Sequence, residues 1–184
     1  ALEGDAGAVS SLLLGLEPAD ARLSALFYLA RHVHGTARRA CRRRCGPVLM
    51  QAMVETWDHR DMGAFMEALG WSRAALACLC DLAGGPDVSD LPERVRVYRG
   101  GEGEPRDVAN GMSWTTNPEV ARFFADRQVT VFGSRTSRRS GSRCAITSEV
   151  ARQAIILLTN ARNEAEVLLR HAPRDYSSVY RGDV

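Results

Sequence analysis

The chain has 184 residues, 45% of them apolar and 25% charged, which is ordinary globular usage and excludes collagen-like, coiled-coil and intrinsically disordered classes. Its 24 cations against 22 carboxylates leave a net charge of +2, too little for a protein that coats nucleic acid without specificity. All 24 cations are arginine and lysine is absent, which a GC-rich coding bias explains most simply.

The length is enough to bury a core without covalent staples. Five cysteines, Cys41, Cys45, Cys78, Cys80 and Cys144, are an odd and sparse set. They read as reduced thiols of a cytosolic environment. There is no run of 18 or more apolar residues and no signal-peptide pattern, so no membrane span is expected.

The first half of the chain has helical periodicity. Leu23, Leu26, Phe27, Ala30 and Val33 follow a start signal at Pro18 and Asp20. A second helix is expected from Pro47 to Trp57, on Val48, Met50, Met53, Val54 and Trp57, with shorter ones at 61–69 and 72–83. The last of these presents Leu76, Leu79, Cys80 and Ala83 on one face. Trp57 and Trp71 read as packing residues of this helical part.

The character changes at Gly84-Gly85-Pro86. Val95, Val97 and Tyr98 alternate with charged neighbours as a half-buried strand does. Further strands are expected at Met112–Thr115, Val129–Phe132, Ala145–Val150, Ala154–Thr159, Glu164–Arg170 and Ser178–Arg181. One helix interrupts them, opened by Asn117-Pro118-Glu119 and carrying Val120, Phe123 and Phe124 as its apolar stripe. Thr116 with Glu119 forms an alternative capping box. Gly133–Arg143 is a loop rich in serine, arginine and glycine. Helices first and strands second give an α+β fold, with a helical lobe over residues 1–85 and a mixed or antiparallel sheet core over 86–184.

Several chemistries find no support. Gly100-Gly101-Glu102-Gly103 lacks the helix and spacing of a phosphate-binding loop. His32, His34, Cys41 and Cys45 match no common zinc module, and five arginines between 38 and 44 would repel a cation, so no metal is expected. No Gly-x-Ser-x-Gly elbow occurs.

Three segments stand out. Arg96-Val97-Tyr98-Arg99-Gly100-Gly101 sets an arginine at the end of a strand. Gly111-Met112-Ser113-Trp114-Thr115-Thr116 precedes the capped helix. Asn163-Glu164-Ala165-Glu166 leads into the apolar run Val167-Leu168-Leu169. On a strand Glu164 and Glu166 share a face, with Cα atoms roughly 6–7 Å apart. Two such carboxylates repel unless a cation or polar partner lies between them, a tension common at acid/base sites.

In this order the segments resemble mono-ADP-ribosyltransferases of the arginine–serine–glutamate class, which includes bacterial toxins, secreted effectors and phage enzymes. The family pattern of a strand-end arginine, a Ser-Thr-Ser-like strand and a Glu-x-Glu pair becomes Arg99, Ser113-Trp114-Thr115 and Glu164-Ala165-Glu166. The likeness covers about residues 93–170. Two features depart from it. Only 14 residues separate Arg99 from Ser113, where many toxin members carry a helix, so the chain resembles a compact, phage-like variant. Trp114 replaces a small residue, which fits if its side chain faces the core.

The resemblance implies an ADP-ribosyltransferase-type sheet and an enzyme that cleaves NAD, its substrate, and transfers ADP-ribose to arginine of a target protein. It implies that Glu166 balances the oxocarbenium-like ribose and that Ser113 orients Glu166. Arg99 grips a phosphate with its bidentate fork, and Glu164 orients and deprotonates the acceptor guanidinium. Gly100, Thr115 and Phe124 join Arg99, Ser113 and Glu166 as cofactor contacts. Asn163 joins Glu164 at the acceptor, with the Asn160–Asn163 turn as recognition loop. The implied enzyme is made in a bacterial cytoplasm, with secretion or injection into a host cell the route of toxin members.

Other readings stand beside this one. Arg99 also reads as a surface ion-pair arginine, and Glu164 and Glu166 as the solvent face of an edge strand. Tyr98, Trp114, Phe123 and Phe124 read as core aromatics. Arg38, Arg39, Arg42, Arg43 and Arg44 read as a solvated helix end. An inactive binding module on the same fold, holding a protein or nucleic-acid partner, is the alternative function. Transfer to a nucleic acid, served by the clusters at 31–46 and 134–143, is the third.

Overall fold

A computed structural model describes residues 25, 28, 35–58, 66–67, 70, 72–126, 143–160 and 163–182. Nearly all of the expected helix over Leu23–Val33, most of that at 61–69, Trp71, the strand Val129–Phe132 and nearly all of the Gly133–Arg143 loop lie outside the described residues.

Helix α1 runs from Gly35 to Asp58, beginning twelve residues before the expected start at Pro47. Proline removes one backbone donor and normally opens a helix rather than continuing it. Here the apolar stripe passes straight through it: Cys45, Leu49, Ala52, Met53 and Trp57 are all buried at helical spacing. Packing along that stripe overrides the local signal. Arg39, Arg42 and Arg43 are therefore exposed positions within the helix body rather than at its end. Helix α2, Arg73–Leu82, starts on a Ser72 cap whose hydroxyl accepts from Ala75 N at 3.2 Å. The expected face Leu76, Leu79, Cys80 and Ala83 is buried. Gly84 and Gly85, at φ +97° and +77°, close α2 with bonds from Gly84 N to Asp81 O and from Gly85 N to Cys80 O. A Cβ on Gly46 would meet Ala83 O at 2.8 Å, so α1 passes this helix end at backbone contact.

The strands are β1 (Arg94–Glu102), β2 (Ser113–Thr115), β3 (Arg143–Ala151), β4 (Ile155–Thr159), β5 (Glu166–Leu169) and β6 (Ser177–Gly182). They form one sheet in the order β4-β5-β2-β1-β3-β6. The pairings β5–β2, β2–β1, β1–β3 and β3–β6 are antiparallel, and β1 and β3 stay in register from Arg94↔Ala151 to Glu102↔Arg143. The alternation of β1 buries Val95 and Val97, as the sequence pattern predicts. Between β1 and β2 lies a short helix, α3 (Pro105–Ala109), with proline in its first turn. The 14-residue separation between Arg99 and Ser113 thus does hold a helix, a five-residue one that hydrophobic periodicity is too short to reveal. Helix α4 (Pro118–Asp126) follows β2.

The fold is α+β. Contacts divide the chain into Ala1–Asp87 with Ile156–Arg162, and Val88–Ile155 with Asn163–Val184. The first unit carries α1 and α2. The second carries α3, α4 and the antiparallel strands described above. Among the described residues no helix is long and apolar enough to cross a membrane, and Cys45, Cys78, Cys80 and Cys144 are outside any disulfide.

Candidate active site

The site is built on three neighbouring strands. The register Ser113↔Leu168, Trp114↔Val167 and Thr115↔Glu166 locks β2 to β5. Opposed residues share a face, so Ser113, Thr115 and Glu166 point one way and Trp114 the other. Glu166 is 4% exposed, one of few buried polar or charged residues among those described. Its Oε1 accepts a hydrogen bond from the Ser113 hydroxyl. Burying a carboxylate is costly unless hydrogen-bonded, and a buried, partnered one marks a candidate site. Every residue of β5 is buried and the strand lies inside the sheet order, which overturns the edge-strand reading for Glu166.

Arg99 reaches the same serine through its backbone: Nη1 donates to Ser113 O. Arg99, Ser113 and Glu166 are therefore joined in one chain of hydrogen bonds, with Ser113 at its centre. Arg99 is half-buried rather than a surface arginine. Trp114 is 2% exposed and donates from Nε1 to Gly111 O at 2.9 Å, so its side chain faces the core.

Glu164 does not lie on the strand. β5 begins at Glu166, and the two preceding linkages are bent: Asn163 has φ +56° and Ala165 φ +44°. The expectation that the two glutamates share a face as strand neighbours is corrected on this point. Asparagine tolerates the left-handed region, whereas for alanine it costs about 1–2 kcal/mol. The bend is pinned to β2. Thr115 Oγ1 donates to Glu164 O, and Thr116 N donates to Ala165 O at 3.0 Å. The same Thr115 oxygen accepts from Asn117 N at 3.0 Å, tying the bend to the start of α4.

Asn117 is the cap of α4, its Oδ1 accepting from Glu119 N at 2.9 Å, which decides between the two expected boundaries. The helix does not bury Val120, Phe123 and Phe124 as its stripe. Its sheet-facing residues are Ala121 and Ala125, packed with Ala145 and Tyr98. The reason is Gly100: a Cβ there would fall 1.7 Å from Ala121 O. The helix backbone rests on the strand, and only small residues fit beneath it. Phe123 is left 57% exposed, edge-on to the half-buried Phe124 at 5.6 Å between ring centres. Gly100 faces α4, so its lack of a side chain serves this close packing.

Sequence reasoning gave no role of its own to Gly111, two residues before Ser113, and read Thr115 as a cofactor contact rather than as the anchor of the Glu164 bend. The threonine hydroxyl's hold on the Glu164 bend depends on a partner 49 residues away.

No protein-family model matches the chain, and neither does any curated protein or solved structure.

Proposed function

We propose that this chain is a mono-ADP-ribosyltransferase with the corresponding type of sheet core, moving ADP-ribose from NAD to an arginine of a protein target. One observation carries the reading: the buried Glu166 carboxylate held by the Ser113 hydroxyl, on a serine whose carbonyl also holds Arg99. The donor set fits NAD. A guanidinium suits a phosphate, and a buried carboxylate suits a ribose hydroxyl next to a developing cation.

The bond from ribose C1′ to the nicotinamide nitrogen breaks, and the electron pair leaves with neutral nicotinamide. Glu166 balances the oxocarbenium charge that remains. A guanidinium nitrogen of the target then bonds to C1′ and gives its proton to Glu164, since a protonated guanidinium is a poor nucleophile. The left-handed bend around Glu164 supports the division of roles, because it sets this carboxylate apart from the strand that holds Glu166.

The test is transfer of label from NAD to protein in a mixed lysate. Glu166→Gln, which keeps size and removes charge, should abolish labelling. Persistent labelling by that variant would sink the assignment. Calorimetry with NAD separates the enzyme from an inactive binding module, which would give no heat at millimolar NAD. Label that resists protease but not nuclease would indicate a nucleic-acid acceptor instead.

A further inference from the structure

We infer that Gly111 and Trp114 act together as positioning residues for the Arg99 guanidinium, a role that deepens the transferase reading and rests on it for its consequence in NAD binding. A Cβ built on Gly111 would lie 2.0 Å from Arg99 Cζ, 2.1 Å from Nε and 2.2 Å from Nη2. The guanidinium therefore occupies the space that the Cβ of any other residue at this position would fill. The other side of the grip is the bond from Arg99 Nη1 to Ser113 O. Gly111 is itself fixed from below by the buried Trp114, whose indole N–H donates to Gly111 O at 2.9 Å. Its amide completes the hold by donating to Val108 O at 3.1 Å, at the end of α3.

The glycine is not there for backbone freedom. Its φ lies outside the left-handed region, so alanine is compatible with the local chain conformation. Replacing glycine by alanine at such a position ordinarily stabilises a protein by restricting the unfolded chain. The atoms in the way belong to the end of a flexible side chain, which can move. Gly111→Ala is thus expected to shift Arg99 while leaving the fold intact, and this separates positioning from structural support. Trp114 occupies the place of the small residue in the family's segment, and its indole N–H gives the substitution a function. An arginine seated against Gly111 and bonded to Ser113 O keeps its fork in one orientation, which bidentate recognition of a phosphate requires.

The experiment has two readouts on the full chain. The first needs no NAD: the guanidinium resonances of Arg99, identified by their loss in Arg99→Lys, should display hindered rotation in the wild type. They should collapse to the freely rotating pattern in Gly111→Ala and Trp114→Phe, with the Gly111→Ala melting temperature unchanged or raised. Hindered rotation surviving in both variants overturns the inference. The second is the KM for NAD, expected to rise about tenfold or more in Gly111→Ala with kcat changed far less, as loss of a charge-assisted bond predicts. An unchanged KM in a variant whose Arg99 signal has collapsed overturns the role in NAD binding. A wild type that neither binds nor cleaves NAD, yet loses the hindered signal in both variants, sinks the transferase reading and leaves the positioning standing.

Discussion

Ser113 and Glu166 are diagonal partners across β2 and β5: Ser113 lies opposite Leu168, Glu166 lies opposite Thr115, and the serine hydroxyl crosses to Glu166 Oε1. Diagonal neighbours on one face of an antiparallel pair are far enough apart for a short side chain and a long one to meet. The strand register thus sets the geometry of the bond before any side chain chooses a rotamer.

Ser113→Ala removes the hydroxyl and leaves Glu166 buried with one partner fewer. The expected cost is about 1–3 kcal/mol of stability, read by urea unfolding, because a buried acceptor is left less satisfied. Transfer from NAD should fall roughly a hundredfold or more, as when a preorganised donor is lost. Ser113→Thr, which keeps the hydroxyl, should restore most of both. Equal damage by the alanine and threonine variants would refute the role of the hydroxyl.

Thr115→Val keeps shape and removes the donor to Glu164 O. Loosening that bend should reduce transfer to arginine more than NAD hydrolysis, measured as ADP-ribose released without acceptor. Parallel loss of both reactions would count against separate roles for Glu164 and Glu166. At the adjacent position, Ala165→Gly should leave stability unchanged or slightly higher, since relief of the left-handed strain offsets the added freedom of the unfolded chain. Ala165→Val should destabilise by roughly 2 kcal/mol or more, a branched side chain being least tolerant of this conformation.

Gly100→Ala should be among the most damaging single changes in the sheet unit. The added Cβ meets the Ala121 carbonyl and the Ala125 amide, which are backbone and cannot swing away. A loss of about 3 kcal/mol is expected, at the upper end for overpacking. The contrast with Gly111→Ala is the sharper measurement. Two glycines of one site should respond differently to the same substitution: Gly100→Ala, against a helix backbone, loses stability, whereas Gly111→Ala, against a mobile side chain, keeps or gains it.

Across β1 and β3, Arg96 sits opposite Glu149 and donates to its Oε1 at 2.8 Å. That hydrogen bond, and then the charge of the guanidinium, hold the Glu149 carboxyl below its ordinary value. A carboxyl depressed in the folded state contributes stability that is present above its unfolded value and is lost as pH falls through the folded one. Urea unfolding of the wild type and Glu149→Gln should therefore differ slightly near neutrality and converge below the ordinary carboxylate range. Both groups are well exposed, so 1 M salt should erase most of the difference. A gap that persists at acid pH would assign the effect to packing instead.

Much of this protein was legible locally. The α2 face, the Asn117-Pro118 start of α4, the alternation in β1 and the arginine, serine and glutamate segments rest on patterns a few residues long. Capping, turn chemistry and period-2 burial act over that range. Helix α1 shows where such reading stops. Pro47 is a local start signal, overridden by a buried stripe that runs through it from Cys45 to Trp57.

The sequence by itself determined that the protein is α+β, and that an arginine, a serine and two glutamates arise in a suggestive order. Only the tertiary structure decided that Glu166 is buried, that Ser113 joins it to Arg99, and that Glu164 leaves the strand on a left-handed bend. It also turned two glycines and a tryptophan from punctuation and bulk into close packing of α4 and a seat for Arg99. These properties depend on atoms brought together from positions up to 53 residues apart. Pairing register and contact distance create them, and neither is written in the spacing of any one segment.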